Sequence, residues 1–516
     1  MRVLLLSTYE LGHQPFALAT IRARLRAAGH ETRAVDVAVS PLPSGDLQWA
    51  EALVISVPMH TALRLALEVV HRARQLCPAL PIALCGLYAP VAETSELLRG
   101  TDLLVAGDPG PALLGWLGGG QDTADPGGGQ GPGGGQDTAG TAGGQGTAGP
   151  GPRSVTEIGY PVSRRAPSAA AAAAATAAAT AAAAAPLRDD LEPLERYATL
   201  VTGATKRLVG STLSSHGCNH RCRHCPVAAV YGGRSRPIAL EAVLGDVAQL
   251  VDAGATHINF GDPDFLNRPR HALEVAEAVH ASWPELSFDA TVKVEHVIRH
   301  EQLWRHLREL GLNFVVSAFE STDDEVLRLL DKGHTAADEA LALSVLRQAG
   351  IEARPSWLPF SPWTTLSSLA DLLRFSAEHD LVSSTDTVQY SIRLLLPAHS
   401  LLLDHPDPVL AASLGELDAS NGTWSWSPLD PSLDELQAAL TEIAEAAAEN
   451  EVGAEAAFGQ VWEAARGGGV PLEAEPPPVA WPSPLAGPER PHLSEAWFCC
   501  AEPTRSQHAA VATPSR

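Results

Sequence analysis

Cysteine is scarce in this chain of 516 residues, which contains only seven, and they are unevenly spaced. A set this small and irregular excludes a disulfide-stapled scaffold, so the fold should depend on a buried apolar core. The sequence also lacks an apolar run long enough to be a convincing membrane span, and its first apolar stretch is too short for a signal peptide. We therefore expect a cytoplasmic protein with reduced thiols and no membrane association.

Basic side chains are also few, with 36 Lys and Arg against 60 Asp and Glu, which gives a formal net charge of -24. A surface this acidic repels phosphate backbones, so the composition argues against general nucleic-acid binding. Hydrophobic residues still make up 45% of the chain. The composition is therefore that of a globular protein with two or three packed domains.

Residues 1–117 alternate strand-like apolar runs with helical patterns. The apolar runs are Arg2–Ser7, Ala52–Val57, Pro81–Cys85 and Asp102–Ala106. This βαβ pattern predicts an α/β domain with a Rossmann-like parallel sheet, and such sheets bind ligands at the carboxyl ends of their strands. The loops expected along that edge are Thr8–Pro15, Pro58–His60, Gly86–Pro90 and Gly107–Gly110.

Low-complexity sequence follows at 118–186, first rich in Gly and then in Ala and Thr, and it cannot bury a core. We expect this segment to be a linker. Nearer the end of the chain, residues 406–480 have the pattern of a helical extension. Pro and Gly are frequent beyond it, and we expect residues 481–516 to form a flexible tail.

Residues 187–405 again alternate strands and helices. The predicted strands are Gly210–Ser215, His257–Phe260, Ser287–Thr291, Phe314–Ala318, Glu352–Leu358 and Val388–Leu395. Helical stretches between them complete six βα units, which predict a partial (β/α)6 barrel of the TIM type. The site of such a barrel lies at the carboxyl ends of its strands.

Three cysteines follow the first of these strands in a CxxxCxxC pattern, at Cys218, Cys222 and Cys225. Thiolates are ligands for zinc and for iron–sulfur clusters. A structural zinc site needs a fourth ligand, whereas three cysteines alone would leave one iron of a [4Fe–4S] cluster open to a further ligand. The histidines that could complete a zinc site are His216, His220 and His224.

The CxxxCxxC spacing after a strand resembles the radical S-adenosylmethionine (SAM) superfamily. In that family the three cysteines hold a [4Fe–4S] cluster, whose open iron binds the amino and carboxylate groups of SAM. Reductive cleavage of SAM then gives a 5′-deoxyadenosyl radical that abstracts hydrogen from the substrate. The resemblance implies that Cys218, Cys222 and Cys225 are the metal ligands, with His224 where the family usually has an aromatic residue.

Further segments resemble the SAM-binding positions of the same family. Gly261 and Asp262 follow the second predicted strand, where the family has a Gly-Gly-Glu motif, and Asp262 stands in place of the Glu. A structural salt bridge or a helix cap is the competing interpretation for such residues. The cofactor-binding residues that the resemblance implies are Gly261, Asp262, Lys293, Glu320, Ser321 and Arg354.

The order of the domains resembles the cobalamin-binding subclass of the superfamily, so cobalamin is a third candidate cofactor. The Asp-x-His-x-x-Gly motif, whose His ligates cobalt in that subclass, is absent. His13 is one replacement ligand, although a loop histidine is more often simply hydrogen-bonded. Cobalamin could also bind without a protein ligand to cobalt, or the domain could have kept only its scaffold.

The segment Trp497–Pro503 resembles the tail of the CUAEP/CCAEP-tail radical SAM proteins, some of which have selenocysteine at the second position of the cysteine pair. Here the pair is Cys499 and Cys500. Replacement by selenocysteine implies nucleophilic or redox chemistry. We therefore expect a catalytic pair on a mobile arm that reaches the active site. An inert, exposed pair is the alternative.

These patterns predict a radical SAM enzyme that modifies an unidentified small molecule or peptide and receives electrons from a donor such as ferredoxin or flavodoxin. With cobalamin, methylation is the natural reaction. Without cobalamin, rearrangement, sulfur insertion and peptide modification are equally open. The alternatives are a non-enzymatic module that binds zinc for structure and an iron–sulfur electron-transfer protein.

Overall fold

The computed structural model describes residues 1–93, 101–107, 109–118, 153–156, 185–419, 421–485 and 487–512. Two large β-sheets organise the described chain, one at each end of the low-complexity sequence. The Gly-rich tract and most of the Ala-rich tract lie outside the described residues. The two sheets are therefore treated in turn.

The N-terminal sheet is parallel throughout. Its strands are β1 (Arg2–Ser7), β2 (Glu31–Asp36), β3 (Ala52–Ser56), β4 (Ile82–Cys85), β5 (Leu103–Ala106) and β6 (Arg153–Thr156), in the order β2-β1-β3-β4-β5-β6. Its helices are α1 (Phe16–Ala27), α2 (Ser44–Trp49), α3 (His60–Leu76) and α4 (Gly110–Leu117). Strands β3, β4 and β5 are apolar and buried along their whole length, as expected where helices cover both faces of a parallel sheet.

Strand β6 lies inside the segment that the sequence predicted as a linker. It pairs in parallel with β5, from Leu103 opposite Arg153 to Ala106 opposite Thr156. Its four residues follow Gly-rich sequence and show no apolar alternation of useful length, so the pattern gave no sign of a strand. The N-terminal sheet therefore takes in residues beyond 117.

The second sheet is a curled half-barrel. Its strands are β7 (Thr199–Thr202), β8 (Thr205–Thr212), β11 (His257–Phe260), β12 (Ser287–Thr291), β13 (Leu312–Glu320), β14 (Glu352–Trp357) and β17 (His492–Leu493). Strands β8, β11, β12, β13 and β14 are parallel neighbours, and β7 and β17 extend the β8 edge in antiparallel pairs. Two small hairpins join β9 (Ser215–Gly217) to β10 (Ser235–Pro237) and β15 (Leu414–Asp418) to β16 (Thr423–Trp426).

Helices follow most strands of the half-barrel. They are α5 (Pro226–Tyr231), α6 (Leu240–Asp252), α7 (Pro269–Ser282), α8 (Val294–Arg299), α9 (Trp304–Glu309), α10 (Asp324–Leu329), α11 (Ala336–Gln348), α12 (Leu366–Glu378), α13 (Pro408–Ser413), α14 (Ser432–Glu449), α15 (Ala454–Gly467) and α16 (Arg505–Ala512). Thr335 begins α11 with a reciprocal capping box to Asp338. No helix within these described stretches has the length and apolar character needed to cross a membrane.

The prediction of a sixth strand at Val388–Leu395 is wrong. A 3₁₀ helix covers Thr387–Ser391, and beyond it only an isolated parallel bridge joins Phe360 to Arg393. Most residues of this segment are buried, and helix α14 packs beside the 3₁₀ helix. A short buried run cannot be assigned to strand or helix by periodicity alone.

The C-terminal segment differs most from expectation, because much of it packs against both domains. Strand β17 pairs with β7, and Trp497 and Val511 are 6% and 5% exposed. Pro and Gly frequency indicated a flexible tail. Residues 490–511 instead contain buried apolar side chains that the composition of the whole tail concealed.

Arg188 joins the two domains through a buried ion pair. It makes two hydrogen bonds to the carboxylate of Asp246, at 2.6 and 2.8 Å, and donates to Gln14 of the N-terminal domain at 2.7 Å. Arg188→Met should lower the free energy of unfolding by about 3–5 kcal/mol, because Asp246 would remain buried without a partner. Urea unfolding followed by circular dichroism measures this loss. Arg466→Met, which removes only a surface pair with Glu463, should cost at most about 1 kcal/mol.

Candidate active site

The three cysteines lie in a loop bounded by the β9–β10 hairpin. Gly217 ends β9 with φ +77°, and a side-chain carbon at this position would come within 2.4 Å of the Arg234 carbonyl oxygen. Glycine is therefore required where the chain enters the loop. At the other end, the Cys225 N–H donates to the Cys222 carbonyl at 3.1 Å, and Pro226 begins α5. These contacts hold the three thiols in one compact loop.

The thiols of this loop are largely removed from water. Cys222 is 7% exposed, and Cys218 and Cys225 are half-buried. Burial, with a smaller contribution from the charge of Cys222, raises the pKa of Cys218 to about 11 and that of Cys225 to about 12. A metal ion would displace the protons of these two thiols on binding, as thiolate ligation requires.

Two asparagines hold the start of the loop. The Asn219 N–H and the Asn219 side-chain amide donate to Asn267 at 2.9 Å each, and Asn267 Oδ1 lies 3.6 Å from Cys218 Sγ. Neither residue was assigned a role from the sequence. The only available signal was that both residues flank motifs at the ends of neighbouring strands.

Asp262, a predicted SAM contact, ties the cysteine loop to the second strand of the half-barrel. Its carboxylate accepts hydrogen bonds from the Ser214 N–H and hydroxyl at 2.8 Å each and from the Ser215 hydroxyl at 2.6 Å. Burial raises its pKa, and the serine hydrogen bonds work against that rise. The neighbouring Gly261 N–H donates to the Thr212 carbonyl. Asp262 therefore acts on the site through the position of the loop.

Glu320 ends β13 beside the cysteines, in a strained backbone conformation. Its φ is +72°, which is costly for a residue with a side chain, and the pairing with β14 shifts register there. Its carboxylate lies 3.0 Å from Lys332 Nζ and 3.2 Å from His224 Nε2. Burial opposes its ionisation, yet the charges of Lys332 and His224 outweigh burial and hold the pKa of Glu320 well below its usual range.

Strain of this kind is typical of functional sites. Lys332 is buried at 2% exposure, and the charges of Cys222 and Cys225 contribute to raising its pKa above the usual value. The amino group thus lies within electrostatic reach of two cysteines and Glu320. Lys332 was assigned no role from the sequence, because a lone lysine in a loop carries no distinctive spacing.

Lys293 reaches the cysteine loop from the third strand. Its Nζ lies 3.2 Å from His220 Nδ1, and the other nitrogen of His220 faces Asp264 at 3.4 Å. His296 Nδ1 lies 2.8 Å from the same Asp264 oxygen. His220, Asp264 and His296 could hold a metal ion by distance. The lysine can only donate to Nδ1, so the proton of His220 lies on the nitrogen that faces Asp264. Among the described residues, His220 Nε2, Asp264 Oδ2 and His296 Nδ1 are ion-paired by distance but make no hydrogen bond of good geometry.

The last two predicted cofactor contacts lie in different surroundings. Ser321 follows Glu320 and is buried, and its hydroxyl accepts from the Asp323 N–H at 3.2 Å. Arg354 donates to Asp386 at 2.8 Å from β14. The structure therefore brings Lys293 and Glu320 to the cysteine loop, whereas Ser321 and Arg354 have structural partners.

The cysteine pair of the tail lies at the carboxyl edge of the N-terminal sheet. The Thr61 hydroxyl donates to the carbonyl of Ala501 at 2.8 Å and lies 3.3 Å from that of Cys499. Glu502 accepts from His60 at 2.8 Å and from Arg64 at 2.9 Å. The expected mobile arm is thus bound to the start of α3 in this structure.

His13, the candidate cobalt ligand, is buried, and burial lowers its pKa to about 4. The charges that act on it belong to His257 and Asp289 of the half-barrel. Nearby, a cavity of about 330 Å³ opens at the ends of β1 and β2, with Glu10 in its wall. Burial raises the pKa of Glu10 to about 8 and that of the adjacent Asp36 to about 7.

Residues 212–359 match the Radical SAM superfamily. The chain contains a radical SAM domain. The match runs from the last residue of β8 past the end of β14 and includes the cysteine loop, Lys293, Glu320 and Lys332. The resemblance to the radical SAM superfamily, which the cysteine spacing indicated, is thereby confirmed.

Two curated relatives share part of the chain at low identity. Hopanoid C-3 methylase of Methylococcus capsulatus is 22% identical over 149 residues, which are 28% of each chain. Hopanoid C-2 methylase of Rhodopseudomonas palustris is 22% identical over 138 residues, 25% of each chain. The matched region spans little more than a quarter of these relatives.

Solved structures extend the similarity beyond the radical SAM domain. The cobalamin-dependent SAM radical enzyme OxsB with aqua-cobalamin bound is 13% identical, with a TM-score of 0.57 over 86% of this chain and 67% of that one. Its form with aqua-cobalamin and SAM bound gives 12% identity and the same TM-score over 87% and 67%. The fold class, an N-terminal parallel sheet domain followed by a partial barrel, is thereby confirmed.

Proposed function

We propose that this chain is a radical SAM enzyme that binds a [4Fe–4S] cluster through Cys218, Cys222 and Cys225 and cleaves SAM to modify a small molecule or a peptide. The observation that carries the proposal is the buried loop of three thiols beside the Glu320–Lys332 pair, inside a radical SAM domain. When bound, the reduced cluster and SAM supply a carbon radical that abstracts hydrogen.

The residues of the loop fit a cluster. Three soft ligands lie in one turn, their protons are exchangeable for metal, and Lys332 offsets part of the negative charge that they acquire. If the three cysteines only packed as uncharged thiols, a buried lysine beside them would not be needed. Asn219 and Asn267 fix the loop that carries Cys218.

The surrounding polar groups fit the charged ends of SAM. Glu320 stays ionised and is available to an ammonium group or to hydroxyls, and Lys293 offers a cation to a carboxylate. Asp262 orients the loop from behind. We assign Gly261, Ser321 and Arg354 supporting roles, because their described partners are structural.

Cobalamin does not fit the N-terminal sheet while the C-terminal segment is seated. Residues 495–502 lie along the carboxyl edge where a ligand of this sheet would bind, and Thr61 and Glu502 hold them there. His13 lines the cavity at the ends of β1 and β2 and lies within electrostatic reach of Asp289 and His257. Cobalamin, which the similar OxsB structures hold, would therefore bind once this segment leaves the edge, and methylation is the reaction that we propose with cobalamin bound.

The zinc module has less support than the cluster. A closed zinc site needs a fourth ligand. His224 pairs with Glu320, and His220 lies between Lys293 and Asp264. A zinc protein would be colourless, whereas a [4Fe–4S] protein is brown.

The proposal also includes an electron donor of the ferredoxin or flavodoxin class and a cytoplasmic location.

Anaerobic reconstitution with iron and sulfide should give a brown protein that forms 5′-deoxyadenosine from SAM and dithionite. The three-thiolate loop leaves one iron open, so SAM can bind it. Visible absorption, iron content and chromatography of the nucleoside measure the result. An intact cluster that yields no 5′-deoxyadenosine would contradict the proposal.

A further inference from the structure

The two thiols of the tail are neighbours in space as well as in sequence. Cys499 Sγ and Cys500 Sγ lie 3.6 Å apart, and both residues are half-buried. A disulfide needs about 2.05 Å between the sulfurs. A side-chain movement of less than 2 Å would therefore join them.

The loop that carries the pair is firmly held. Trp497 is buried, and its indole N–H donates to the Glu502 carbonyl at 2.8 Å, which closes the loop across the two cysteines. The Thr61 hydroxyl binds the carbonyl of Ala501. Burial opposes ionisation of Glu502, yet its hydrogen bond with His60 and the charge of Arg64 lower its pKa to about 2. The loop is thus held by an ionised carboxylate at Glu502 and by neutral hydrogen bonds from Trp497 and Thr61.

Tyr88 lies within electrostatic reach of both the tail pair and the cysteine loop. Burial raises the pKa of Tyr88, and Cys500, Cys499 and Cys225 would each raise it further when ionised. A charge on Glu320 also acts on Cys500. The tail therefore brings two thiols to the side of the site occupied by Cys225 and Glu320.

These surroundings keep Cys500 in its neutral form. The hydrogen bond with Cys499 raises the pKa of Cys500, and burial and the charges of Cys499 and Glu320 raise it further. A nucleophilic cysteine needs the opposite environment, with a nearby cation and a lowered pKa. A neutral S–H group is instead suited to giving up a hydrogen atom, since an S–H bond is weaker than most C–H bonds.

We propose that Cys499 and Cys500 form a redox-active pair, in which Cys500 gives a hydrogen atom to a carbon radical in the active site and then bonds to Cys499 as a disulfide. This inference rests on the proposed function, because that function supplies the radical. Of the nucleophilic and redox roles that the resemblance implied for the tail, it selects the redox one.

The electrons balance in three steps. The S–H bond of Cys500 breaks, its hydrogen atom forms a new C–H bond, and a sulfur radical remains on Cys500. That radical bonds to the sulfur of Cys499, whose proton passes to water. The extra electron of the resulting disulfide radical anion would pass to a one-electron acceptor, which the oxidised cluster held by Cys218, Cys222 and Cys225 would supply. The pair has then lost two electrons and two protons in all.

A small dithiol or a thioredoxin-class protein must reduce the disulfide before the next cycle. Neighbouring Cα atoms lie about 3.8 Å apart, which is below the usual separation across a disulfide. A bond between adjacent cysteines is therefore strained and readily reduced. This favours repeated cycling over permanent cross-linking.

The first test uses the metal-free full chain. Diamide oxidation followed by alkylation and peptide mass spectrometry should show that the peptide with Cys499 and Cys500 loses two hydrogens and escapes alkylation. Cys77, a half-buried thiol remote in the fold, should remain alkylated. Both tail thiols remaining reactive after oxidation, while the chain stays folded, would overturn the proposal.

The second test uses the reconstituted protein in D2O with SAM and dithionite, without substrate or added thiol. With no substrate present, the 5′-deoxyadenosyl radical itself must take up a hydrogen atom. Wild-type protein should therefore form 5′-deoxyadenosine that carries deuterium from the exchanged Cys500 thiol. Cys500→Ala should lose this deuterium. Cys499→Ala should keep the deuterium but lose the disulfide, and Cys77→Ala should match wild type.

The outcomes separate the two proposals. Unlabelled 5′-deoxyadenosine from wild type, or equal labelling in Cys500→Ala, would overturn the hydrogen-donor role and leave the radical SAM function standing. No 5′-deoxyadenosine despite an intact cluster would instead contradict the function itself and remove the source of the radical.

Discussion

Replacing Cys218 or Cys222 with Ala should give a reconstituted protein that has almost no visible absorption and forms 5′-deoxyadenosine only at the protein-free background. Each thiolate would hold one iron of the cluster, and the loop has no fourth cysteine to take its place. The thiols are buried, so water would replace the missing ligand poorly. Iron content, visible spectra and nucleoside analysis measure the loss.

Cys225 needs a second variant because the tail thiols lie on its side of the site. Cys225→Ala should therefore be compared with the same change in a Cys499→Ala, Cys500→Ala background, where no tail thiol can substitute. Cys77→Ala should keep its colour and its nucleoside formation. A brown Cys218→Ala protein that cleaves SAM would contradict the ligand assignment.

The sequence predicted the fold class and the cysteine loop because both depend on short-range patterns. Buried parallel strands appear as apolar runs, and ligand spacing in one loop is visible directly. Strand β6 and the missing sixth strand were not predictable in this way. One consists of four residues beside Gly-rich sequence, and the other is a buried run that packs as a 3₁₀ helix.

The partners of the other candidate site residues could not be predicted as the cysteine spacing could, because they depend on which residues the fold brings together. Asp262 has the expected position but is held by Ser214 and Ser215. Lys332 had no spacing to mark it, yet it lies against Glu320. The position of Cys499 and Cys500 depends on contacts with Thr61, more than four hundred residues earlier in the chain. Such long-range pairing leaves no local pattern.

Lys332→Met should lower the free energy of unfolding by about 3–5 kcal/mol near neutral pH, because the Glu320 carboxylate would stay buried with only His224 beside it. Wild-type Glu320 has a pKa below its unfolded value of about 4.3, so its contribution is present above that pH and is lost as pH falls toward the folded pKa. Without Lys332, burial raises the pKa of Glu320. The sign of its contribution then reverses, and stability falls as pH rises.

The difference in unfolding free energy between wild type and Lys332→Met should therefore be larger at pH 7 than at pH 5, as urea unfolding of the metal-free chains can measure. Lys206→Met, at an exposed position on β8, should stay within about 0.5 kcal/mol of wild type at both values. A difference that is independent of pH would mean that Lys332 stabilises the chain only by packing. Because Cys222 and Cys225 also contribute to the raised pKa of Lys332, the variant should bind less iron on reconstitution, and Lys332→Arg should recover part of both losses.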